Sequence, residues 1–218
     1  MNYDITFLHT GEIHVATFEQ LLGELDDGIR AQHIVDEELL NSARQDGITP
    51  DLEKRIDAAM LKGVADESSL VVCTCSSIGG VAEETGARHG FKSMRIDRAM
   101  ADDAVDMGKK TLVLAALEST LAPTAELIKS SAERKGKSPE IELKQVENAW
   151  PHFESGNLDN YSRRIGEAIV EYANDFDVVV LAQASMSKAV DYCEGVTTPV
   201  LSSPRIGVKA AIAALKHT

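Results

Sequence analysis

The feature that most constrains the fold of this 218-residue chain is a regular alternation of short apolar runs with stretches of helical periodicity. The clearest runs cover residues 70–75 and 178–181. Both are apolar on the two faces of an extended chain, as in a parallel strand buried between helices. Shorter runs predict further strands over residues 5–8, 31–35, 111–116, 141–146 and 200–201. Helical spacing is found over residues 15–25, 39–43, 50–64, 123–135, 157–174 and 206–216. The alternation predicts an α/β protein built on parallel sheets.

The two halves of the chain are similar to each other. A shift of 108 residues places residues 69–78 over residues 177–186, and both segments are a buried strand that ends in small polar residues. A shift of 107 residues places residues 5–9 over residues 112–116. This similarity predicts two α/β halves related by pseudo-two-fold symmetry. The alternative is that any two buried strands look alike at this level.

The ends of these matching strands are the predicted site. Ligands of parallel α/β sheets bind beyond the carboxyl ends of the strands, where loops lead into helix N-termini. Cys75 and Gln183 occupy matching positions at two such ends. If the halves face each other, these residues meet across a cleft lined with hydroxyl and helix amide groups. Such donors favour an anion, so we expect a small carboxylate ligand.

Charge and composition restrict the partners. Lys+Arg number 22 against 35 Asp+Glu, which gives a net charge of −13 and argues against a nucleic-acid partner. No apolar run approaches the roughly 20 residues that span a bilayer, and residues 1–4 lack the basic start of a signal peptide. We therefore expect a cytoplasmic protein without a membrane partner. Three cysteines do not make a disulfide framework, and no Cys or His cluster completes a metal site.

Three segments carry recognisable motifs. Residues 70–79 read LVVCTCSSIG, residues 177–186 read DVVVLAQASM, and residues 113–124 read VLAALESTLAPT. Together they resemble the aspartate/glutamate racemase superfamily, which also includes hydantoin racemases, maleate isomerases and arylmalonate decarboxylases. The resemblance implies two similar doubly wound parallel-sheet domains with the active site in the cleft between them. It also implies a C-terminal return to the first domain, so the expected domains are residues 1–97 plus 198–218 and residues 98–197.

The resemblance also implies roles for individual residues. Residues 75–77 stand where the superfamily usually has Cys-Asn-Thr, which makes Cys75 the expected proton-transfer group. Gln183 stands where the superfamily usually has its second catalytic cysteine. A glutamine at this position departs from the pattern of the superfamily, in which two cysteines serve as the two bases of racemisation. His9 is the first candidate for a partner acid or base, with His14 and Glu118 as further candidates. The candidate substrate-binding residues are Thr10, Ser76, Ser77, Ser119, Thr120, Gln183 and Ser185.

The implied function is a cofactor-independent isomerase or racemase that acts on a small carboxylic or amino acid, as a homodimer or higher homo-oligomer. Two alternatives stay open, a one-cysteine lyase or decarboxylase and a non-catalytic carboxylate-binding protein. A redox role for Cys73 and Cys75 would need a strained disulfide. Each site residue also has a plain structural interpretation: strand packing for the cysteines, a polar rim position for His9, and helix capping for the hydroxyls.

Overall fold

The structure is a computed structural model that describes residues 3–65 and 68–216. Residues 1–2, part of the segment inspected above for a signal peptide, and residues 217–218, the end of the predicted first domain, lie outside the described residues. The strands are β1 (Ile5–His9), β2 (Ala31–Val35), β3 (Leu70–Cys73), β4 (Ser93–Arg95), β5 (Lys110–Ala115), β6 (Glu140–Gln145), β7 (Val178–Leu181) and β8 (Val200–Ser202).

The helices connect these strands. They are α1 (Ile13–Leu25), α2 (Glu37–Asp46), α3 (Pro50–Ala65), α4 (Gly79–His89), α5 (Arg98–Met107), α6 (Leu121–Arg134), α7 (Trp150–Glu154), α8 (Leu158–Tyr172) and α9 (Ser203–Lys216). Short 3-10 segments cover Glu118–Thr120, Ala173–Asp175 and Ala184–Tyr192. Within the described ranges, no helix combines the length and the apolar character needed to cross a membrane.

The chain divides into two compact units, unit 1 (Met1–Asp97 with Pro204–Thr218) and unit 2 (Arg98–Ser203). Each unit is built on a parallel sheet, in the order β2-β1-β3-β4 in unit 1 and β6-β5-β7-β8 in unit 2. The two sheets have the same connectivity. The predicted α/β fold with two similar parallel-sheet domains is therefore confirmed, while the symmetry axis and the cleft stay predictions.

The return of the chain to unit 1 begins at Pro204, whereas the sequence placed it at residue 198. The cause is β8, whose residues Val200 and Leu201 pair with β7. This pairing adds a fourth strand to the sheet of unit 2 and keeps the segment there.

The core of unit 1 lies on both faces of its sheet, because successive strand side chains point to opposite faces. Phe7 belongs to a buried cluster with Phe18 of α1 and Val208 of α9. The next residue, Leu8, belongs to a second buried cluster with Ile56 of α3. Helices therefore cover the sheet on either side, which explains why β3 is apolar on both faces and why every residue of the inner strands β1 and β3 is buried.

The core of unit 2 follows the same rule. Leu112 and Leu181 cluster with Ile165 of α8 on one face. Val113 and Val180, which alternate with them along β5 and β7, are also fully buried. The helices α5 and α6 pack against these two strands. Both faces of this sheet are covered as well.

Several elements give no sequence signal of their own. The strand β4 has three residues, too few for an apolar alternation, and α7 has five. The helix α5 carries two adjacent aspartates and was not predicted. The last helix begins at Ser203, three residues before the predicted start. Apart from the ten-residue helix α5, these differences lie at element ends and in short elements, where local patterns carry the least information.

Candidate active site

The loop after β3 presents Cys75. The strand ends at Cys73, α4 begins at Gly79, and the loop between them crosses the carboxyl end of the sheet. Cys73 is fully buried in the core, whereas Cys75 is half-buried. Burial raises the pKa of the Cys75 thiol above its usual range, and hydrogen bonds from the Thr10 hydroxyl and from the N–H groups of Ile78 and Ser77 oppose this rise. The sulfur is therefore surrounded by donors that would stabilise a thiolate.

The two serines after Cys75 differ in their partners. The Ser76 hydroxyl hydrogen bonds to the Asp97 carboxylate, and the Ser76 carbonyl accepts from Nη2 of Arg95 at 3.3 Å. Ser77 is only 7% exposed, and its Oγ is buried without a hydrogen-bond partner among the described residues. A buried hydroxyl without a partner at the start of a helix is available to a ligand oxygen.

Arg95 and Asp97 form a buried ion pair directly behind this loop. Arg95 Nε lies 2.6 Å from Asp97 Oδ1, and Arg95 Nη2 lies 3.0 Å from Asp97 Oδ2, so the contact is bidentate. Burial raises the pKa of Asp97, but Arg95, the Ser76 hydroxyl and a backbone N–H together outweigh burial and hold this pKa below its usual range. This pair was not predicted from the sequence. The available signal was the segment 95–97, in which two opposite charges flank an isoleucine.

His9 lies at the end of β1, fully buried between two polar partners. Its Nδ1 is 2.8 Å from Thr74 Oγ1, and its Nε2 is 2.8 Å from His33 Nδ1. The Thr74 hydroxyl donates its own proton to the Leu8 carbonyl at 3.1 Å. The Thr74 oxygen can therefore only accept from His9, which places the His9 proton on Nδ1.

This tautomer determines the rest of the chain of hydrogen bonds. With its proton on Nδ1, His9 accepts at Nε2 from His33 Nδ1–H. Burial, together with His33 and His14 nearby, lowers the pKa of His9 to about 3, so the ring is neutral at pH 7. The far nitrogen of His33, Nε2, is buried and without a partner in the described part of the chain. His9 thus connects β1 to both neighbouring strands, and its predicted proton exchange with a substrate stays a prediction.

Gln183 follows β7 by two residues, just as Cys75 follows β3 by two residues. Its Oε1 accepts from the backbone N–H of Ala116 at 2.6 Å and of Leu117 at 3.1 Å. The side chain thereby connects the end of β7 to the loop after β5. Its carbonyl oxygen is engaged within unit 2, which leaves the amide NH₂ group as the part of Gln183 suited to a ligand.

The remaining candidate hydroxyls of unit 2 fall into two groups. Thr120 donates to the Leu117 carbonyl at 2.8 Å, and Ser185 shares a 2.8 Å hydrogen bond with the Tyr161 hydroxyl. Both are engaged by the fold itself. Ser119 differs, because its Oγ is buried and lacks a hydrogen-bond partner within residues 3–65 and 68–216. The same stretches contain no group of three or more His, Cys, Asp and Glu that could hold a metal ion.

Comparisons with known proteins give this architecture a class. No protein-family model matches the sequence, and no curated protein sequence matches it significantly. Solved structures do match, and they cover nearly the whole chain. The chain has the fold shared by aspartate racemases, glutamate racemases and arylmalonate decarboxylase.

Three of these structures illustrate the likeness. An aspartate racemase homologue from Pyrococcus horikoshii has a TM-score of 0.70 at 16% identity, over 98% of this chain and 99% of that one. A glutamate racemase from Bacillus anthracis has a TM-score of 0.74 at 12% identity, over 99% and 82%. Arylmalonate decarboxylase has a TM-score of 0.61 at 10% identity, over 97% and 92%. At such identities the likeness concerns the fold, and there it confirms the predicted resemblance to the racemase superfamily.

Proposed function

We propose that this protein is a cofactor-independent enzyme that transfers a proton at the carbon next to the carboxylate of a small carboxylic or amino acid. Cys75 is the proposed proton-transfer group. The observation that carries the proposal is the environment of its sulfur, which is half-buried and accepts hydrogen bonds from Thr10, Ser77 and Ile78. A strand cysteine that only packs has no need of three converging donors.

The substrate carboxylate is proposed to bind at the start of α4. The Ser77 hydroxyl is buried without a partner among the described residues. The first turn of an α-helix also carries unpaired N–H groups and a partial positive charge, which suit an anion. No cationic side chain is required, so an acidic protein can bind an acidic substrate. Ser119 offers a comparable hydroxyl in unit 2.

The proposed step moves one proton and one electron pair. The Cys75 thiol first loses its own proton to solvent. The thiolate then takes the proton from the α-carbon, and the C–H electron pair delocalises into the carboxylate as an enediolate. A proton from solvent water adds to the α-carbon, and its addition on the face opposite to Cys75 completes an isomerisation or racemisation. The polar loop at the carboxyl end of β3 would stabilise the developing negative charge.

A decarboxylase is the second candidate, and two observations favour it. Burial raises the pKa of Cys75, so the resting sulfur is a protonated thiol, ready to act as an acid. At the matching position of unit 2, Gln183 has no proton to exchange in the ordinary way. After loss of CO₂ from a malonate-type acid, the C–C electron pair becomes an enediolate, and a single thiol suffices to protonate it.

The test is proton exchange in D₂O over a panel of small amino acids, dicarboxylic acids and substituted malonates. Deuterium at the α-carbon is followed by NMR, and CO₂ release is measured in parallel. We expect turnover of at least one acid by the wild type and a loss of about 100-fold or more in Cys75→Ala, typical of removing a proton-transfer group. Cys193→Ala is the matched control, because Cys193 is also half-buried and its Sγ donates to the Val190 carbonyl at 3.2 Å.

The outcomes separate the candidates. Exchange without CO₂ release supports the isomerase or racemase, and CO₂ release supports the decarboxylase. Thermal stabilisation by carboxylates with neither reaction would identify a binding protein and end the enzyme proposal. Turnover that survives in Cys75→Ala would remove Cys75 from the mechanism.

A further inference from the structure

We infer that Arg95 and Asp97 are positioning residues for Cys75, and that their buried ion pair holds the loop of residues 74–78 so that its N–H groups stay directed at the sulfur. The inference deepens the proposed function, on which its purpose rests. The hydrogen bonds that reach the sulfur come from Thr10, Ser77 and Ile78 and not from the pair, so the pair positions these donors through the loop. The charge of Asp97 also raises the pKa of Cys75 directly, and a test of position must therefore leave that charge unchanged.

Arg95 and Asp97 bind each other, and each also binds Ser76. The guanidinium binds both carboxylate oxygens of Asp97, at 2.6 and 3.0 Å, and its Nη2 also donates to the Ser76 carbonyl at 3.3 Å. Asp97 in turn hydrogen bonds to the Ser76 hydroxyl. Ser76 is therefore held through its main chain by one member of the pair and through its side chain by the other. The next two residues supply the N–H groups that reach Cys75.

The start of α4 is shaped to admit the guanidinium. A Cβ added at Gly79 would lie 3.0 Å from Arg95 Nε and 3.1 Å from Arg95 Cζ, closer than ordinary contact. A Cβ at Gly80 would lie 3.8 Å from Arg95 Nη1, which is ordinary contact. Arg95 thus lies against the first turn of the helix at Gly79, the nearer of two adjacent glycines, where a side chain would be too close to the guanidinium.

The burial of the pair makes a purely stabilising role a weak explanation. Arg95 is 4% exposed and Asp97 is fully buried. Removing both charges from water costs about as much as their attraction returns, so an apolar pair of similar volume is often as stable. An apolar pair could not hydrogen bond to the Ser76 carbonyl and hydroxyl. These hydrogen bonds fix Ser76 and thereby position the donors around Cys75.

The first experiment measures the reactivity of Cys75 in Arg95→Lys. Lysine keeps the charge but has one nitrogen, so it cannot bind both oxygens of Asp97 and the Ser76 carbonyl as a planar fork does. Alkylation by iodoacetamide is followed from pH 6 to 10 in a Cys193→Ser background, with mass spectrometry to confirm modification at Cys75. We expect the midpoint of the pH–rate profile to rise by about one pH unit, and the rate at pH 7.5 to fall about fivefold to tenfold, because lost N–H donors disfavour the thiolate.

The matched control is Arg134→Lys. Arg134 forms a similar contact, with Nη2 2.6 Å from Asp102 Oδ1, but this pair lies in unit 2 and is partly exposed. Its replacement should leave the alkylation profile of Cys75 unchanged. A shift of equal size in both variants would show a general effect of Arg-to-Lys replacement and would overturn the inference.

A second pair of variants tests position without changing charge. Gly79→Ala pushes a methyl group against the held guanidinium, whereas Gly80→Ala meets it at ordinary distance. We expect the midpoint of the pH–rate profile for Cys75 alkylation to rise in Gly79→Ala and to be unchanged in Gly80→Ala. If Arg95→Lys does not fold, judged by circular dichroism, this second pair decides alone. An unshifted profile in folded Arg95→Lys or folded Gly79→Ala would overturn the inference.

The readout is independent of turnover. If no acid is exchanged or decarboxylated but the alkylation profile shifts as expected, the proposed function fails and the positioning role stands. If turnover is found but the profile does not move, the positioning role fails and the proposed function stands.

Discussion

The carboxyl ends of the two sheets share a topology but differ in their chemistry. In unit 1, the residue two positions after β3 is Cys75, which accepts hydrogen bonds from Thr10 in the loop after β1 and from two N–H groups of its own loop. In unit 2, the residue two positions after β7 is Gln183, which accepts N–H groups from the loop after β5. A further contrast is between His9 and Ala116, which the 107-residue shift aligns. One end has a titratable sulfur and buried imidazoles, and the other has an amide that does not titrate.

This contrast shows how one architecture can be retained while one half changes its chemistry. In unit 1 the donors converge on a group that can gain or lose a proton. In unit 2 two N–H groups of the loop after β5 are satisfied by a neutral side chain that carries no titratable proton. The asymmetry is why we place the proton transfer on unit 1.

The largest effect is expected on acid stability through His9. Its pKa is about 3 in the folded protein, against about 6.5 in an unfolded chain. Between these values the unfolded state binds a proton that the folded state does not, so stability is full above pH 6.5 and is lost as the pH falls toward 3. The loss should be on the order of a few kcal/mol for the wild type. Urea unfolding at several pH values measures it.

The matched variant is His9→Asn, whose amide can donate to Thr74 as Nδ1 does but does not titrate in this range. Its stability should fall less steeply between pH 6.5 and 4 than that of the wild type. Hydrogen exchange adds a test of location, because unit 1 should lose amide protection before unit 2. Equal slopes for variant and wild type, or earlier loss in unit 2, would contradict the contrast between the two units.

An intermediate effect is expected at Gln183. In Gln183→Ala the N–H groups of Ala116 and Leu117 lose their shared acceptor inside the protein, which should cost about 1–3 kcal/mol in the free energy of unfolding. The control is Gln145→Ala, since the Gln145 side chain reaches the same loop through a long contact of 3.5 Å with the Ala116 carbonyl. It should cost about 0.5 kcal/mol or less. Similar losses in both variants would mean that Gln183 has no special hold on the loop.

The features that could be predicted from the sequence are those that depend on residues close together in the chain. The apolar strands, the polar loop after β3 and the position of Cys75 can be predicted, because a strand buried on both faces has a distinctive composition. The same is true of Gln183, whose place follows from the repeat. These inferences need only neighbours in the chain.

The polar networks behind the site could not be predicted in this way. Thr74 lies 65 residues after His9, and His33 lies 24 residues after His9. The three side chains meet because β1 pairs with both β2 and β3. No local sequence pattern predicts the order of the strands in a sheet. The pair Arg95–Asp97 was missed for a different reason: charged residues are mostly exposed, and a three-residue strand gives no sign that its arginine is buried.

The smallest effects are expected on replacing serines by alanine. The sign of the change in unfolding free energy distinguishes serines that have a hydrogen-bond partner in the fold from a serine without one among the described residues. Ser76 and Ser185 have partners in the fold, Asp97 and the Tyr161 hydroxyl, so alanine at either position should cost about 1 kcal/mol in unfolding free energy. Ser77 has a buried hydroxyl without a partner among the described residues, and alanine there removes a group that is costly to bury.

Ser77→Ala should therefore leave stability unchanged or raise it by about 0.5–1 kcal/mol. The same substitution should weaken the thermal stabilisation given by a bound carboxylate, because the ligand loses a hydroxyl donor. A hydroxyl that is unfavourable to folding but favourable to binding is expected at a functional site and not at a helix cap. If Ser77→Ala destabilises the free protein as much as Ser76→Ala does, Ser77 is a structural residue and the proposed carboxylate position must be moved.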